Sequence, residues 1–542
     1  MTSSRAQHRP RWRATLGMKA AVAVALVVLA DQLFFAHRPG ATVGVFALIW
    51  IVGVWLARPG LFRDPRAGVA MGLAVLLAVG MIDRPSLLMW LLYALAVTVA
   101  ALSARVARGE PGWRWAQRLI VHVVMATCGP LIDLVRWLAA RRKRTASKAG
   151  SVMRLVALLA LPLWGGLVFL GLFAAANPLI SDALSRFRPP PLSVETMVRT
   201  IFCGLVALAV WAALRPRWRR TLLHLPSLGE RALPGVSTAS VTLSLIVFNG
   251  LFALQNALDI AFLWSGAPLP DGTTLAAYAH RGAYPLILTA LLAGAFVLIT
   301  LRPGSGTANR PLVRALVMAW VAQNMLLVAS SLLRTVDYVE VFSLTRFRLA
   351  AMIWMALVGL GLLLICWRLM RNRSAHWLIN ANLLAVLTVL AVVGTVNLGP
   401  AVAAWNVRHA AEVDGQGAVL DLCYLDRLGP AALVSLAELE KATAEPQFRA
   451  RIASVRWRAQ ATVMERQSHW RGWTWRDARR LAKAQSLVGL EAPSLGPWPR
   501  TCDGEPMVPP PPVVLEAPRI VYRGPPVTSL PAQAPLTSNA GH

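Results

Sequence analysis

Long apolar runs recur along this chain, and they constrain its fold more than any other feature. Eleven of them reach or approach the roughly 20 residues that a helix needs to cross a bilayer. They are residues 18–35, 42–57, 68–82, 86–103, 153–175, 201–214, 238–265, 282–301, 313–333, 349–367 and 378–398. An aqueous core could not bury them all, since hydrophobic residues make up 56% of the chain and charged residues only 15%. The sequence therefore predicts an all-α integral membrane protein, a polytopic bundle of about 11 transmembrane helices.

The chain divides into five predicted segments. They are a four-span membrane segment (1–103), a basic cytoplasmic segment (104–152), a seven-span membrane domain (153–398), a small helical extracytoplasmic domain (399–492) and a Pro-rich tail (493–542). Helical periodicity is clear at 417–442 and 446–485, whereas the tail is expected to be disordered or polyproline II. The first apolar run is interpreted as a retained signal anchor, because no clean cleavage site follows it.

The basic segment contains one ambiguous apolar stretch, Leu119–Val135, which carries His122 and Asp133. Arginines and tryptophans flank it, a mixture typical of a kinked amphipathic helix in the membrane interface. A twelfth span is the alternative, and it would place one arginine cluster on the opposite side of the membrane.

The distribution of lysine and arginine predicts the orientation, because cytoplasmic loops are enriched in both. With eleven spans, the loops on the side of the N-terminus hold 30 basic residues and the opposite loops hold nine. The N-terminus is therefore predicted to be cytoplasmic and the C-terminus to lie outside. These loops account for nearly all of the net charge of +30. The charge thus indicates anionic lipid headgroups as partners and does not indicate nucleic acid.

Two of the five cysteines, Cys423 and Cys502, lie in the C-terminal segment, which this orientation places in an oxidising compartment. Thiols pair in such compartments, so a disulfide between them is one expectation. The other is two unpaired cysteines, one buried and one on the tail. Cys203 and Cys366 fall inside spans, and Cys128 falls in the basic segment.

Ionisable and amide side chains within spans are costly, and they tend to be functional or paired. The seventh and ninth predicted spans carry such a set: Asn249, Asn256, Asp259, Gln323, Ser330 and Arg334. Helical spacing gathers the members of each span on one face. Asp259 and Arg334 both lie near the outer ends of their helices, so a salt bridge between them is geometrically feasible. Two interpretations stay open, a polar site or relay between the spans and hydrogen bonds that only hold the helices together.

Motifs that carry enzyme chemistry are missing from the sequence. It has no G-x-x-x-x-G-K-[ST] phosphate loop, no H-E-x-x-H metal motif and no G-x-S-x-G nucleophile elbow. His122 and His280 are candidates for acid–base work, but a lone histidine at an interface is more often structural. We therefore predict a non-enzymatic protein with no catalytic residue, no metal site and no cofactor.

From about residue 240 onward, a series of short motifs carries a family resemblance. The motifs are NALD (256–259), YAHRG (278–282), SSLLR (330–334), LTRFR (344–348), NLGP (397–400), WNV (405–407) and DLCYLDRL (421–428). In order and spacing they resemble the bacterial multi-pass membrane proteins called domain of unknown function 4173 and its relative 4153. One departure is Ser343, where the family usually has glycine. The resemblance implies an integral protein of the bacterial inner membrane, and it brings no known activity or substrate. In that membrane, the orientation predicted from the charges places the C-terminus in the periplasm.

Several residues in and near these motifs are expected on the outer face, in short loops between spans seven and ten: Tyr278, Arg281, Arg334, Tyr338, Thr345 and Arg348. Guanidinium groups bind phosphate or carboxylate bidentately, so this cluster suits an anion or a lipid headgroup. The alternative is interfacial anchoring, which needs no ligand because tyrosine and arginine side chains favour the membrane surface.

The sequence leaves three functional interpretations. The first is a scaffold, sensor or accessory subunit that partners with the bilayer and with a membrane or periplasmic protein. The second is a transporter or flippase that uses a polar path between spans seven and nine. The third is a membrane enzyme that acts on a lipid-linked substrate. A wet cavity around Asp259 and Arg334 would favour transport or catalysis, whereas dry packing would favour a scaffold.

Overall fold

The computed structural model describes two membrane-type helix bundles and a C-terminal helical domain. The described residues are 15–106, 109–110, 112–127, 129–130, 132–133, 166, 193–216, 238–264, 292, 310–371, 373–414, 417–489, 491–493 and 500–506. Within these ranges the chain is helical, and extended pairing is limited to two isolated β-bridges.

Nine helices of the described part coincide with predicted apolar runs, and one more lies in the ambiguous segment. In order they are α1 (Leu16–Phe34), α2 (Thr42–Ala57), α3 (Pro65–Asp83), α4 (Leu87–Ser103), α5 (Gly112–Thr127), α6 (Val194–Leu214), α7 (Thr238–Asp259), α8 (Pro311–Phe342), α9 (Arg346–Met370) and α10 (Ala375–Thr395). Seven of them are long and apolar enough to cross a membrane, while α2 and α4 are apolar but shorter. Apart from the single residues 166 and 292, the predicted spans Met153–Ala175 and Gly282–Leu301 lie outside the described residues, so the count of eleven stays a prediction.

Capping residues start two helices earlier than hydropathy indicates. α6 begins at Val194 rather than at Ile201, because the Ser193 hydroxyl accepts a hydrogen bond from the backbone N–H of Thr196. α3 gains its first turn in the same way, from the carboxylate of Asp64. Both runs looked short in the sequence, but the helices contain 21 and 19 residues. These lengths suit the roughly 20 residues that a membrane-spanning helix needs.

α8 contains 32 residues and corrects the predicted span at 313–333. At about 1.5 Å per residue it is about 48 Å long, well beyond the ~30 Å hydrocarbon core of a bilayer. Its last turns therefore leave the apolar part of the bundle, and Val339 packs in the core of the C-terminal domain.

The end of α8 is strained at Ser343, whose φ of 63° and ψ of 163° fall in a region that favours glycine. Ser343→Gly should therefore raise the free energy of unfolding by about 1 kcal/mol, as measured by thermal unfolding in detergent. Ser331→Gly, in the middle of the same helix, is the control and should lower it by a similar amount. If Ser343→Gly lowered the free energy of unfolding, the backbone at Ser343 would not be strained.

The membrane-type helices pack as two bundles. The first combines α1 to α4 with α6, and its aromatic centre includes Phe46, Trp50, Trp90 and Tyr93. The second combines α7 to α10 and includes Trp320. The structure thus groups α6 with the first bundle, whereas the predicted boundary at residue 153 assigns it to the second membrane segment.

α5 begins before the predicted stretch Leu119–Val135, and it packs against α6 and α10. Its polar side chains Gln117, Arg118 and His122 are buried, whereas apolar side chains on the same helix are exposed. Arg118 forms a 2.5 Å salt bridge with Glu110. Buried polar groups and an exposed apolar face suit a helix in contact with lipid, but the interfacial helix and the twelfth span both stay predictions.

Six helices make up the described part of the C-terminal domain: α11 (Leu398–Arg408), α12 (Ala411–Asp414), α13 (Leu422–Leu428), α14 (Leu433–Ala442), α15 (Pro446–Ser468) and α16 (Trp475–Val488). The two predicted helical stretches are each divided in two, by a 3₁₀ turn at 429–431 and by a connection at 469–474. The domain has its own apolar core, in which Leu425, Leu436, Ile452 and Val455 are fully buried.

Residues 500–506 belong to this domain, although the sequence predicts a disordered or polyproline II tail from residue 493. The Arg500 carbonyl accepts hydrogen bonds from the side chains of Ser454 (3.2 Å) and Arg458 (2.5 Å). The tail prediction is therefore wrong for 500–506, while 494–499 and 507–542 lie outside the described residues.

Candidate functional site

Two asparagines on α7 hold this helix in register with α8. The Asn249 amide donates to the Leu316 carbonyl (3.0 Å), and the Asn256 amide donates to the Gln323 carbonyl (3.3 Å). The two bonds are seven residues apart on each helix, or about two helical turns. The two asparagine side chains therefore link the helices through interhelical hydrogen bonds, as polar side chains do in membrane bundles.

Asp259 and Arg334 form a salt bridge at the end of this helix pair that is nearer the C-terminal domain. The carboxylate is fully buried, and the guanidinium is 6% exposed. Gln255 also donates to the Asp259 carboxylate (2.9 Å). α7 then continues as the π-helical turn Ile260–Trp264, whose Trp264 indole donates to the Ser330 hydroxyl (3.2 Å). The structure thus brings the polar residues of the two spans together in a closely packed interface.

Four amide oxygens along this interface have no hydrogen-bond partner among the described residues. They belong to Asn249, Asn256, Gln323 and Asn324. Among these four residues Asn324 is the most deeply buried, with 1% of its surface exposed. Sequence reasoning singles out its neighbour Gln323 and not Asn324. The polar character of the α7–α8 interface therefore extends beyond the residues that the sequence singles out.

The other carboxylate within a predicted span, Asp31 on α1, is also paired with an arginine. Arg199 on α6 approaches it to 2.5 Å, and this guanidinium is about half exposed. Both carboxylates in the predicted spans therefore meet an arginine from a different helix, which lowers the energetic penalty of placing them there.

The predicted outer-face cluster lies partly outside the described residues, because Tyr278 and Arg281 fall there, as does the neighbouring His280. The other members meet where α8 gives way to α9. Arg348 lies over the Tyr338 ring at 4.4 Å and donates to a carbonyl at the end of α8 (2.6 Å). Thr345 caps α9 by accepting from the backbone N–H of Arg348. These contacts use the Arg348 guanidinium to close the turn between the two helices.

Cys423 and Cys502 are joined by a disulfide, with Cα atoms 4.8 Å apart. The bond links α13 to residues 500–506 across a sequence separation of 79 residues. The Asp503 carboxylate lies close to both sulfurs. Sulfur in a disulfide lacks the thiolate charge that metal ions require. Cys423, Cys502 and Asp503 therefore do not form a metal site, and the two cysteines serve as a covalent cross-link.

The C-terminal domain rests on one end of the bundles, at a contact that we call the junction. At the end of α3, Asp83 forms salt bridges with Arg476 (2.5 Å) and Arg479 (3.2 Å) of α16. Just before α2, the backbone N–H of Ala41 donates to the Trp473 carbonyl (2.7 Å). Ion pairs and main-chain hydrogen bonds thus both attach the domain to the first bundle.

The turn between α8 and α9 attaches the domain to the second bundle. The Asn406 side chain accepts from the backbone N–H of Leu344 (2.8 Å) and donates to the carbonyl of the same residue (2.9 Å). The Tyr424 hydroxyl accepts from the backbone N–H of Arg346 (2.7 Å). Three motifs of the sequence resemblance, LTRFR, WNV and DLCYLDRL, therefore meet at this junction.

Sequence reasoning missed the half of the junction that involves the first bundle, because Asp83 and Arg476 are 393 residues apart. One signal was available. The WRDARR stretch at 475–480 is strongly basic, and Asp83 is an acidic residue that directly follows a predicted span, at the end predicted to face outward.

These features define a class of protein: a multi-pass helical protein with seven described helices able to cross a membrane and a helical domain on one end of the bundle. The family model described as Domain of unknown function (DUF4153) matches residues 71–439. This is well over half of the chain, so the protein belongs to that family. The match begins at residue 71, well before residue 240, where the motifs of the sequence resemblance begin. No curated protein and no solved structure matches the chain.

Proposed function

We propose that this protein is a non-enzymatic scaffold, sensor or accessory subunit of the bacterial inner membrane, with its C-terminal domain in the periplasm. The observation that carries the proposal is the junction. At the junction the domain contacts four places where one helix of the bundles ends and the next begins. In addition to the contacts of Ala41, Asp83 and Leu344, the carbonyl of Thr395, the last residue of α10, accepts from Arg476 (3.1 Å). A domain held at so many points is suited to presenting a surface to a membrane or periplasmic protein.

The charge distribution supports the orientation. All four connections at the junction belong to the arginine-poor side of the eleven-span scheme, which holds nine basic residues against 30 on the other side. Positive charge favours the cytoplasmic side of a membrane, and anionic headgroups attract it there. The domain would then be periplasmic and the N-terminus cytoplasmic.

The packing at Asp259 also supports a scaffold. Its carboxylate is fully buried and paired with Arg334, so its charge is already balanced within the helix interface. A group that binds and releases a transported ion needs access to water, and a buried ion pair offers little.

Gly40 provides a test, because the loop between α1 and α2 packs directly against the backbone of the domain at this residue. A Cβ at this position would lie 2.5 Å from the Arg471 carbonyl oxygen and the Gly472 carbonyl carbon. Gly40→Val should therefore push the loop away from the domain while leaving the protein inserted. The matched control is Gly60→Val, since a Cβ at Gly60 meets nothing within 4 Å.

The measurement is native gel electrophoresis of membranes from cells that make the protein naturally. We expect the unaltered chain and Gly60→Val to migrate in an assembly larger than the monomer. Gly40→Val should migrate outside that assembly. A purely monomeric unaltered chain, or an assembly that Gly40→Val does not disturb, would refute the proposed function.

A transporter or flippase is the alternative, and the unpartnered amide oxygens of Asn249 and Asn256 favour it. Buried acceptors in a row are groups that a permeating cation or water could contact. Proton flux into proteoliposomes discriminates between the two functions. Flux that disappears in a folded Asp259→Asn variant would favour transport, and equal flux in both proteins would favour the scaffold.

The third interpretation, an enzyme acting on lipid-linked substrates, loses support because the Arg348 guanidinium already contacts the Tyr338 ring and a carbonyl at the end of α8.

A further inference from the structure

A cavity of about 680 Å³ lies between the bundles and the C-terminal domain. This volume is within the range of sites that hold small ligands. On the bundle side the wall is formed by Arg84 after α3, Arg346 at the start of α9 and Asn397 after α10. On the domain side it is formed by α13, α15, α16 and their connections. Because the bundle-side wall consists of the ends of membrane-type helices, the membrane arrangement proposed above would place the cavity near the lipid headgroups.

The lining of this cavity is strongly basic. Its charged residues are Arg38, Arg84, Arg346, Arg427, Arg466, Arg476, Arg480, Asp83 and Asp477. Seven guanidinium groups against two carboxylates give the lining residues a net charge of +5. Such an excess of one charge in a confined space concentrates ions of the opposite sign.

Some of these arginines are neutralised within the protein, and others are not. Arg476 pairs with Asp83 and Arg480 pairs with Asp477. Two more pair with residues outside the wall, Arg38 with Glu465 (3.2 Å) and Arg427 with Asp421 (3.9 Å). In contrast, Arg84, Arg346 and Arg466 have no salt-bridge partner in the part of the chain that the structure describes. No described carboxylate therefore neutralises their positive charges, which an anion in the cavity could balance.

Arg84 shows the effect of placing several positive charges close together in the cavity wall. Its guanidinium donates to the carbonyls of Gly394 (3.4 Å) and Val396 (3.2 Å). Burial lowers the pKa of Arg84 below its usual value, and the nearby positive charges, Arg476 foremost, lower it further. Asp83 acts in the opposite direction without cancelling these effects. An anion in the cavity would offset both the lost hydration and the repulsion.

We propose that this cavity binds a phosphate-bearing polyanion, supplied either as an anionic phospholipid headgroup or as a soluble compound such as a diphosphate. Guanidinium forks match phosphate oxygens bidentately, and several converging forks suit a ligand with more than one negative charge. This site differs from the outer-face cluster of the sequence, since Arg346 lines the cavity whereas Arg348 closes the helix turn. The ligand would contact both the bundle and the domain and so hold them together. The site does not require a protein partner, so it can bind its anion even where the proposed assembly fails.

The test uses the full chain in a neutral detergent. Inorganic pyrophosphate binding is followed by titration calorimetry, and retention of phosphatidylglycerol against phosphatidylcholine is followed by native mass spectrometry. The variants are Arg346→Gln and Arg466→Gln, and the matched control is Arg408→Gln. Arg408 is an exposed arginine of α11 that lies outside the cavity lining.

We expect each cavity variant to weaken binding of the preferred probe about tenfold, which is typical of one lost charge-assisted hydrogen-bonding group. Arg408→Gln should leave it unchanged. Binding should also weaken as salt is added, because the attraction is electrostatic. Selective retention of phosphatidylglycerol would identify a lipid as the source, and pyrophosphate binding alone would identify a soluble anion.

Two results would overturn the proposal. One is that neither probe binds the unaltered chain. The other is that both cavity variants bind as well as Arg408→Gln does. Should Arg346→Gln not fold, Arg466→Gln carries the test by itself, because the Arg466 side chain is exposed on α15.

Discussion

Replacing Asp259 with alanine should destabilise the protein by about 3–5 kcal/mol, the typical effect of removing one partner from a buried ion pair. Arg334 is only 6% exposed, so it would keep a positive charge in apolar surroundings. Gln255, which donates to the Asp259 carboxylate, would lose its acceptor. The effect is large because neither group can reach water without separating α7 from α8. The measurement is unfolding of the purified chain in detergent by increasing amounts of dodecyl sulfate.

A double variant distinguishes this explanation from a simple loss of packing. Combining Asp259→Leu with Arg334→Met removes both charges and should restore most of the stability, since an apolar pair needs no compensation. Asp421→Ala is the control for an exposed pair. Asp421 lies 3.9 Å from Arg427, both side chains are at least half exposed, and the Asp421 carboxylate also caps α13, so its loss should cost only about 1 kcal/mol, most of it from the lost cap. Equal effects of Asp259→Ala and Asp421→Ala would mean that the buried pair does not stabilise the bundle.

The helices could be predicted from the sequence because hydropathy is a local property. Each of the nine described apolar runs is helical, and the errors concern the ends. Those ends depend on single residues such as Ser193, which caps α6, and Ser343, where α8 stops. They also depend on partners elsewhere in the chain. α8 runs past the predicted end of its span because Val339 packs against the C-terminal domain.

The pairing of Asp259 with Arg334 was accessible to sequence reasoning because both groups lie near the same end of two spans. The basic cavity was not accessible in this way. Arg346 and Arg348 are two residues apart, and two steps of about 100° place them on nearly opposite faces of a helix. Only the position of the domain decides which of the two lines a cavity. That position depends on contacts such as Asp83 with Arg476, which join distant parts of the chain.

Loss of the disulfide should have the second large effect on stability. A cross-link over 79 residues restricts the unfolded chain strongly, so Cys423→Ser should lower the free energy of unfolding of the C-terminal domain by about 4 kcal/mol. It should also release residues 500–506, which the bond holds against α13. Cys502→Ser should behave in the same way, whereas Cys366→Ser, which alters a free cysteine of α9, should not. Thermal unfolding of the purified proteins without reductant measures the difference.

The same bond tests the orientation of the protein, because disulfides persist in the periplasm and are rare in the cytoplasm. In intact cells, Cys423 and Cys502 should resist a thiol-reactive polyethylene glycol maleimide until a reductant is added, as a gel shift would reveal. If both thiols react without reductant, the domain lies in a reducing compartment. The arginine-rich loops would then face outward, against the tendency of positive charge to remain in the cytoplasm. The junction would be unaffected, since its contacts do not depend on which compartment the domain occupies. The source of the anion would change, however, because a cavity on the cytoplasmic side meets different lipids and soluble phosphates.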